Sequence, residues 1–319
     1  MNYDVFNGDA DGIIALLQLQ LANPTESIKI TGVKRDIQLL SKVPAKQGDN
    51  IRVLDISMEK NKDALLKCLD LGARVFYADH HRAGDIPASD LLDAHIDLDA
   101  NTCTSLIVSE ILKRKFHLWA IAAAYGDNMV KRADTEADNL QLSETEKAQL
   151  KALGVYINYN GYGSTVDDLH FAPEVLFDKL LAYKSPFELI EDKNSVFYQL
   201  ESAYQADMEN AKRAEVLFEN DAVKVIKLED AAWARRVSGV LGNELANQAP
   251  NVAHAVLTYH KESGYTVSVR APLNNKQGAD NVVTQFETGG GRAAAAGINQ
   301  LPENELPRFY QVLSEYYGK

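Results

Sequence analysis

The chain has 319 residues, 46% of them apolar and 24% charged, and a formal net charge of −12. At roughly 100–200 residues per domain that length fits two domains, and the composition excludes disordered and collagen-like chains. The two cysteines, Cys68 and Cys103, are too few for a disulfide framework or a cysteine-based zinc site, which fits a reducing, cytoplasmic setting.

Taken in chain order, the first 130 residues alternate short apolar runs with helical patterns. Tyr3–Phe6, Ile28–Val33, Ile51–Ile56, Arg74–Ala78 and Ala94–Leu98 read as strands. Gly12–Leu21, Gln38–Lys42, Lys60–Leu71 and Thr104–Lys115 read as helices between and after them. This alternation predicts an α/β domain with a doubly wound parallel sheet. Ser143–Leu153, Pro173–Leu181 and Phe197–Phe218 follow as helices, interrupted at Tyr156–Gly163 by a tyrosine- and glycine-rich patch expected to be a packed loop or a substrate-facing one. From Asp221 the pattern changes to strands at Ala222–Leu228, Ala253–Tyr259 and Tyr265–Arg270, with helices at Gly239–Ala249 and Leu306–Tyr317. The expected division is a catalytic domain over 1–190, a helical linker over 191–220 and a smaller α/β domain over 221–319, with a cleft between the domains.

The N-terminus carries no signal-peptide pattern, and the apolar stretch near Ile13–Ala22 is far short of the roughly 20 residues that span a bilayer. No membrane partner is expected. The charge is unevenly spread. Residues 221–319 hold ten basic and ten acidic side chains, so the first 220 hold 23 and 35 and carry the whole excess. Such a surface suits long duplex nucleic acid poorly. It still admits a small anion held by a few cations or metals.

The chemistry gathers at strand ends, where ligands collect in such sheets. After the first strand comes Asn7-Gly8-Asp9-Ala10-Asp11-Gly12, after the third Asp55, after the fourth Asp79-His80-His81, and after the apolar segment Ala120–Tyr125 comes Gly126-Asp127-Asn128. Singly, Asp9, Asp11 or Asp55 reads as a turn residue or helix cap. Together, carboxylates brought to one sheet edge repel one another unless cations neutralise them, and carboxylates with imidazole suit Mn²⁺ or Mg²⁺. Two such ions, roughly 3.5–4 Å apart, form a clamp for phosphoryl hydrolysis. Gly12 would let a helix start close by and offer amides to phosphate.

A second motif, Thr288-Gly289-Gly290-Gly291-Arg292 followed by four alanines, reads as a phosphate cradle opening a small-residue helix. Read blandly, it is a flexible turn. Arg270, at the end of a strand, is a further candidate phosphate contact.

In order and spacing, Asp9–Gly12, Asp55, Asp79-His80-His81 and Asp127 resemble the four motifs of the DHH phosphoesterases. Gly289–Gly291 resembles the hallmark of the DHH-associated C-terminal domain of that family. The resemblance spans nearly the whole chain, and the length is similar to the nanoRNase (oligoribonuclease-like) and phosphoadenosine-phosphatase members, with the RecJ type related but larger. It implies one metal held by Asp11, Asp55, His80 and Asp127 and another by Asp9 and a bridging Asp55. It also implies His81 beside the reacting phosphate, Asp79 orienting the histidines, and the glycine motif with Arg292 holding the distal phosphate. Two departures stand out: Val5 and Asn7 replace a His or Asp that relatives carry before Asp9, and Arg292 replaces a His after the glycines.

The expected activity is a Mn²⁺- or Mg²⁺-dependent phosphodiesterase with two ions, hydrolysing short oligoribonucleotides or linear dinucleotides to mononucleotides. Alternatives for the same site are a 3′-phosphoadenosine 5′-phosphate phosphatase, a pyrophosphatase or polyphosphatase, and a cyclic-dinucleotide phosphodiesterase; an inactive nucleotide-binding regulator is the alternative of another class. The expected partner is a short oligonucleotide or nucleotide, with homodimerisation left open.

Overall fold

Five short strands run through the first unit. In the computed structural model, which describes residues 1–260 and 264–318, the chain divides into two units, Met1–Ala203 and Tyr204–Lys319. The first unit begins with β1 (Asn2–Phe6), α1 (Ala10–Ala22), β2 (Ile28–Ile30), β3 (Asn50–Leu54), α2 (Lys62–Asp70), β4 (Arg74–Asp79) and β5 (Leu92–Ile96). All five strands are parallel, in the order β2-β1-β3-β4-β5. The chain steps from β1 to β2 on one side and returns to β3 on the other. That reversal opens a crevice beyond the carboxyl ends of β1 and β3, where loops leave in opposite directions. Asp9 and Asp55 flank it.

Helices complete the unit: α3 (Thr104–Ile111), α4 (His117–Gly126), α5 (Val130–Asn139), α6 (Glu144–Asn160), α7 (Pro173–Leu181), α8 (Pro186–Glu191) and α9 (Val196–Ala211), the last running past the unit's end. Gly12 and the β-branched pair Ile13-Ile14 are weak helix formers, Gly costing about 1 kcal/mol relative to alanine. Burial outweighs this, because Ile13, Ile14, Leu16 and Leu17 are completely enclosed, each contributing roughly 1.5–3 kcal/mol. A helix apolar on all sides belongs inside, and α1 packs against α3, α4 and α7. On the other sheet face Tyr3, Val5, Ile51, Val53, Val75 and Tyr77 form a core with Leu40, Met58 and Leu65.

The expected strands fall within a few residues of the observed ones. Gln38–Lys42, expected as a helix, is only a 3₁₀ turn over Leu40–Lys42, because Pro44 disfavours helical backbone just before it. The apolar segment Ala120–Tyr125 is the end of α4, so Asp127 reaches the site from a helix C-terminus and not from a sheet edge. Tyr156–Gly163 is not mainly a loop. Helix α6 continues to Asn160, and Gly161 caps it. Among the described residues, no helix is long and apolar enough to cross a membrane.

The second unit holds β6 (Glu215–Glu219), β7 (Val223–Leu228), α10 (Ala232–Gln248), β8 (Ala253–His260), β9 (Gly264–Arg270), α11 (Ala279–Val283), β10 (Gly289–Gly291), β11 (Ala295–Leu301) and α12 (Leu306–Tyr317). Its mixed sheet has the order β10-β11-β9-β8-β7-β6, with β7 and β8 parallel and the other pairs antiparallel. Val223, Val225, Leu257, Val267 and Ile298 pack with Phe309 and Leu313 of α12 in one core.

Two expectations change in this unit. The stretch 191–220 is helical only in part: α9 stops at Ala211, and Glu215–Glu219 pairs with β7 as an edge strand. No glycine or proline marks that change in the sequence. The glycine triplet opens no helix. Gly289–Gly291 forms one arm of a hairpin with β11, closed by reciprocal hydrogen bonds between Arg292 and Ala295 (2.9 and 3.2 Å). Alanine favours helix, but Ala295 and Ala296 pair with β9 instead, and sheet pairing overrides local propensity. Gly291, at φ 145°, takes a conformation that a side chain would strain.

Candidate metal centre

The loop after β1 is built around Asp9. Its Oδ1 accepts the backbone amides of Asp11 (3.0 Å) and Gly12 (3.1 Å), capping α1. The plain reading of Asp9 as a helix cap therefore holds. The first amides of α1 bind this carboxylate and are not displayed to a phosphate. Asn7 is also engaged on both atoms. Its Oδ1 accepts the Asp9 amide at 3.2 Å, and its Nδ2 donates to the Lys34 carbonyl at 3.2 Å. Val5 is fully buried in the core.

The remaining acids and His80 converge on one another. His80 Nε2 lies 3.4 Å from Asp55 Oδ1, 3.7 Å from Asp11 Oδ2 and 3.9 Å from Asp127 Oδ2. Asp11, Asp55 and His80 are all buried. His80 Nδ1 sits 2.8 Å from the Thr102 carbonyl. A carbonyl only accepts, so Nδ1 carries the proton and Nε2 keeps its lone pair for the acids' side. His81 turns its Nδ1 to Asp79 Oδ1 at 2.7 Å, so Asp79 orients His81, whereas a backbone carbonyl orients His80. The ligand atoms of Asp55, His80 and His81 lie within 4.8 Å of one another.

A short segment missed by sequence reasoning organises this cluster. The backbone amides of Thr104 and Ser105, the first residues of α3, donate to the two oxygens of Asp11 at 2.7 Å each. The Thr104 hydroxyl donates to Asp55 Oδ1 at 3.1 Å, and Thr102 supplies the carbonyl on His80. One helix N-terminus thus fixes three of the four converging residues. Its partial positive charge also favours the Asp11 carboxylate. The signal in the sequence was only Thr-x-Thr-Ser at a helix start.

Lys34 was missed as well. It follows β2, and its Nζ lies 2.5 Å from Asp9 Oδ2, 3.1 Å from Asn158 Oδ1 and 3.6 Å from Asp127 Oδ1. Its ammonium also stands 5.4 Å from the centre of the Tyr162 ring. Gly8 permits this approach. A Cβ on Gly8 would stand 1.9 Å from the Gly32 carbonyl oxygen, so only glycine lets the β1 and β2 loops meet.

The electrostatics follow from the crowding. Burial and then the charges of Asp11, Asp9, Asp79 and Asp127 push the Asp55 carboxyl well above its usual range. Burial also raises Asp9, but the Lys34 ammonium outweighs it and holds Asp9 below the usual range. Burial lowers Lys34 in turn, and Asp9, Tyr162 and Asp127 together more than reverse that. Burial pushes the Cys103 thiol well up, so this cysteine is an inert neighbour of the site. Asp79 Oδ2 is buried without a hydrogen-bond partner.

These residues fit a divalent cation. Three carboxylates and an imidazole Nε2 are the ligand types for Mn²⁺ or Mg²⁺. With bonds of about 2.0–2.2 Å, ligands on one ion stand roughly 3–4 Å apart, as they do around His80 Nε2. A partnerless Asp79 oxygen and a strongly raised Asp55 are what uncompensated negative charge produces.

The other candidate residues lie in the second unit. Arg270 is buried, with Nε on Asn243 Oδ1 (2.5 Å), Nη1 on Ser268 Oγ (2.9 Å) and Nη2 on the Gly239 carbonyl (3.2 Å). Its guanidinium ties β9 to α10. Gly289 and Arg292 are half-buried, while Gly290 and Gly291 are exposed on the edge strand β10.

No family model matches the chain, and no curated protein sequence matches it. Solved structures do. The pGpG-specific phosphodiesterase PggH from Vibrio cholerae aligns over 99% of this chain and 98% of its own, with a TM-score of 0.53 and 15% identity. RecJ from Thermus thermophilus, in complex with Mn²⁺, aligns over 99% of this chain with a TM-score of 0.53 and 16% identity. The chain spans about half (51%) of that protein's length. A second manganese-bound RecJ exonuclease aligns over 100% of this chain and 90% of its own, with a TM-score of 0.51 and 14% identity. PggH and RecJ are both DHH-family phosphoesterases. The chain has their fold: a parallel α/β sheet followed by a second, mixed sheet.

Proposed function

We propose that the chain is a metal-dependent phosphodiesterase of the DHH type, acting on short oligoribonucleotides or linear dinucleotides and releasing mononucleotides. The observation that carries the proposal is the convergence of Asp11, Asp55 and Asp127 on His80 Nε2 at 3.4–3.9 Å. Such acids bind an anionic phosphate only through a cation. A divalent ion held there by Asp11, Asp55, His80 and Asp127 would polarise a phosphoryl oxygen and lower the pKa of water. The fold shared with PggH and RecJ supports phosphoester chemistry at this crevice.

In this reading the chain's own groups position and move protons. Asp79 fixes the ring of His81 through Nδ1 and leaves Nε2 toward the substrate. His81 there stabilises charge on the phosphoryl oxygens and gives a proton to the leaving hydroxyl. The amides of Thr104 and Ser105 hold Asp11 rigid, so it does not reorganise as charge develops. Arg292 anchors a second phosphate, a task that suits a planar, permanently charged guanidinium.

The preference for short substrates rests on the acidic first 220 residues, where 35 acids face 23 bases. The test is a substrate panel with Mn²⁺ or Mg²⁺, comprising dinucleotides, longer RNA, cyclic dinucleotides, 3′-phosphoadenosine 5′-phosphate and pyrophosphate. Mononucleotide release from dinucleotides ahead of chains longer than about five residues is expected. Turnover of longer RNA alone, or of pyrophosphate alone, would overturn the substrate assignment.

A further inference from the structure

We infer that Lys34 is a built-in cation that takes the place of a second divalent ion, so the centre holds one metal per chain. The inference rests on the metal-dependent reading above and concerns the Asp9 end of the same acid cluster.

The cluster has two ends. At one, His80 Nε2 faces Asp11, Asp55 and Asp127 Oδ2. At the other, Asp9 Oδ2 and Asp127 Oδ1 face the Lys34 ammonium at 2.5 and 3.6 Å. Asp127 therefore spans both ends, with one oxygen toward each. A second ion sharing a carboxylate with the first would sit roughly 3.5–4 Å from it, and Asp127, which has one oxygen toward each end, is the carboxylate that would be shared. Its ligand shell would need Asp9 Oδ2, which pairs with Lys34, since Asp9 Oδ1 caps α1. The neighbouring positions add nothing to that shell. Val5 is apolar, and both polar atoms of the Asn7 side chain hold backbone groups.

Lys34 is fastened in place. Its amide donates to the Gly161 carbonyl at 2.8 Å, its own carbonyl accepts from Asn7, and Asn158 Oδ1 takes a further ammonium proton. Three separate elements thus hold the cation: the β1 loop, the end of α6, and the α4 terminus through Asp127. Its side chain is only 23% exposed. The features line up chemically: where a metal ligand would be expected before Asp9, this chain has Asn7, and Asn7 positions the lysine.

The test is Mn²⁺ binding followed by electron paramagnetic resonance, together with equilibrium dialysis, on the full chain, its Lys34→Met variant and its Lys34→Arg variant. Wild type should bind one Mn²⁺ and give the sextet of an isolated ion. Lys34→Met should bind two and give an exchange-coupled spectrum, since Asp9 and Asp127 then lack their cation. Lys34→Arg, which keeps the charge, should bind one. Circular dichroism on each variant reports folding, and the wild-type stoichiometry decides independently of any variant. Two tightly bound, coupled ions in wild type would overturn the inference. One ion in a folded Lys34→Met would overturn Lys34 as the group that excludes the second. No bound ion in wild type would instead overturn the metal-dependent reading itself.

Discussion

Replacing Thr104 by valine removes one hydroxyl and keeps the side chain's shape. That hydroxyl donates to Asp55 Oδ1 at 3.1 Å inside a fully buried site, while the Thr104 amide, which holds Asp11, is left in place. A hydrogen bond to a charged group contributes about 1.5–3 kcal/mol, and each 1.4 kcal/mol or so is tenfold in affinity. The ion needs Asp55 ionised, whereas without an ion burial and four neighbouring acids favour its protonated form. The lost bond therefore falls mainly on the metal-bound state. Mn²⁺ affinity should drop roughly tenfold to a hundredfold, the range typical of groups that orient metal ligands. Thr104→Ser keeps the donor and should stay within about threefold of wild type. The assay is calorimetric Mn²⁺ titration, with thermal melting of the metal-free proteins as the check on folding. A Thr104→Val protein that melts normally and binds Mn²⁺ within about twofold of wild type would refute the assignment of Asp55 as a ligand.

Three further outcomes are expected. The raised Asp55 carboxyl contributes stability at pH values below its ordinary value of 3.8 and loses it as pH rises through the elevated folded value. The metal-free protein should therefore lose stability as pH rises above the ordinary carboxylate range, and the Mn²⁺-induced rise in Tm should grow in the same direction; a rise that shrinks with increasing pH would count against the cluster. Gly8→Ala places a Cβ 1.9 Å from the Gly32 carbonyl oxygen and should cost about 1–3 kcal/mol in chemical unfolding, with weaker Mn²⁺ binding as the Asp9 loop shifts. In the second unit the two arginines should separate: Arg292→Ala should raise KM for substrates with a distal phosphate about tenfold with kcat kept, whereas Arg270→Met should lower Tm, because Asn243 and the Gly239 carbonyl lose their donor.

Much of the fold was legible because parallel strands announce themselves. β1, β3 and β4 are apolar runs bounded by polar loops, and the acids at their ends pointed to the crevice. Asp127 was legible as an acid closing an apolar run, and since an alanine-rich run reads equally as strand or helix, only the structure decides for the helix. Lys34 and the Thr102–Ser105 segment were illegible for a different reason. Each acts through single hydrogen bonds or ion pairs across loops far apart in sequence, from Lys34 to Asn158 and from Thr104 to Asp11. No periodicity records such pairs. The glycine–alanine hairpin was misread because local propensity favoured a helix and only the pairing of β11 with β9 decides otherwise. The hydrogen bonds of Arg270 to Asn243 and the Gly239 carbonyl were likewise invisible in the sequence, since they join a strand to a helix about thirty residues earlier.

The central claim is that the Asp11–Asp55–His80–Asp127 cluster makes this chain a metal-dependent phosphodiesterase. The most direct measurement is mononucleotide release from a 5′-phosphorylated dinucleotide by purified wild type and Asp55→Ala, with Mn²⁺ and with chelator. Release by wild type with Mn²⁺ alone, and a loss of at least about a thousandfold in Asp55→Ala, is the predicted result. Release that persists in chelator, or that survives in Asp55→Ala, would contradict it.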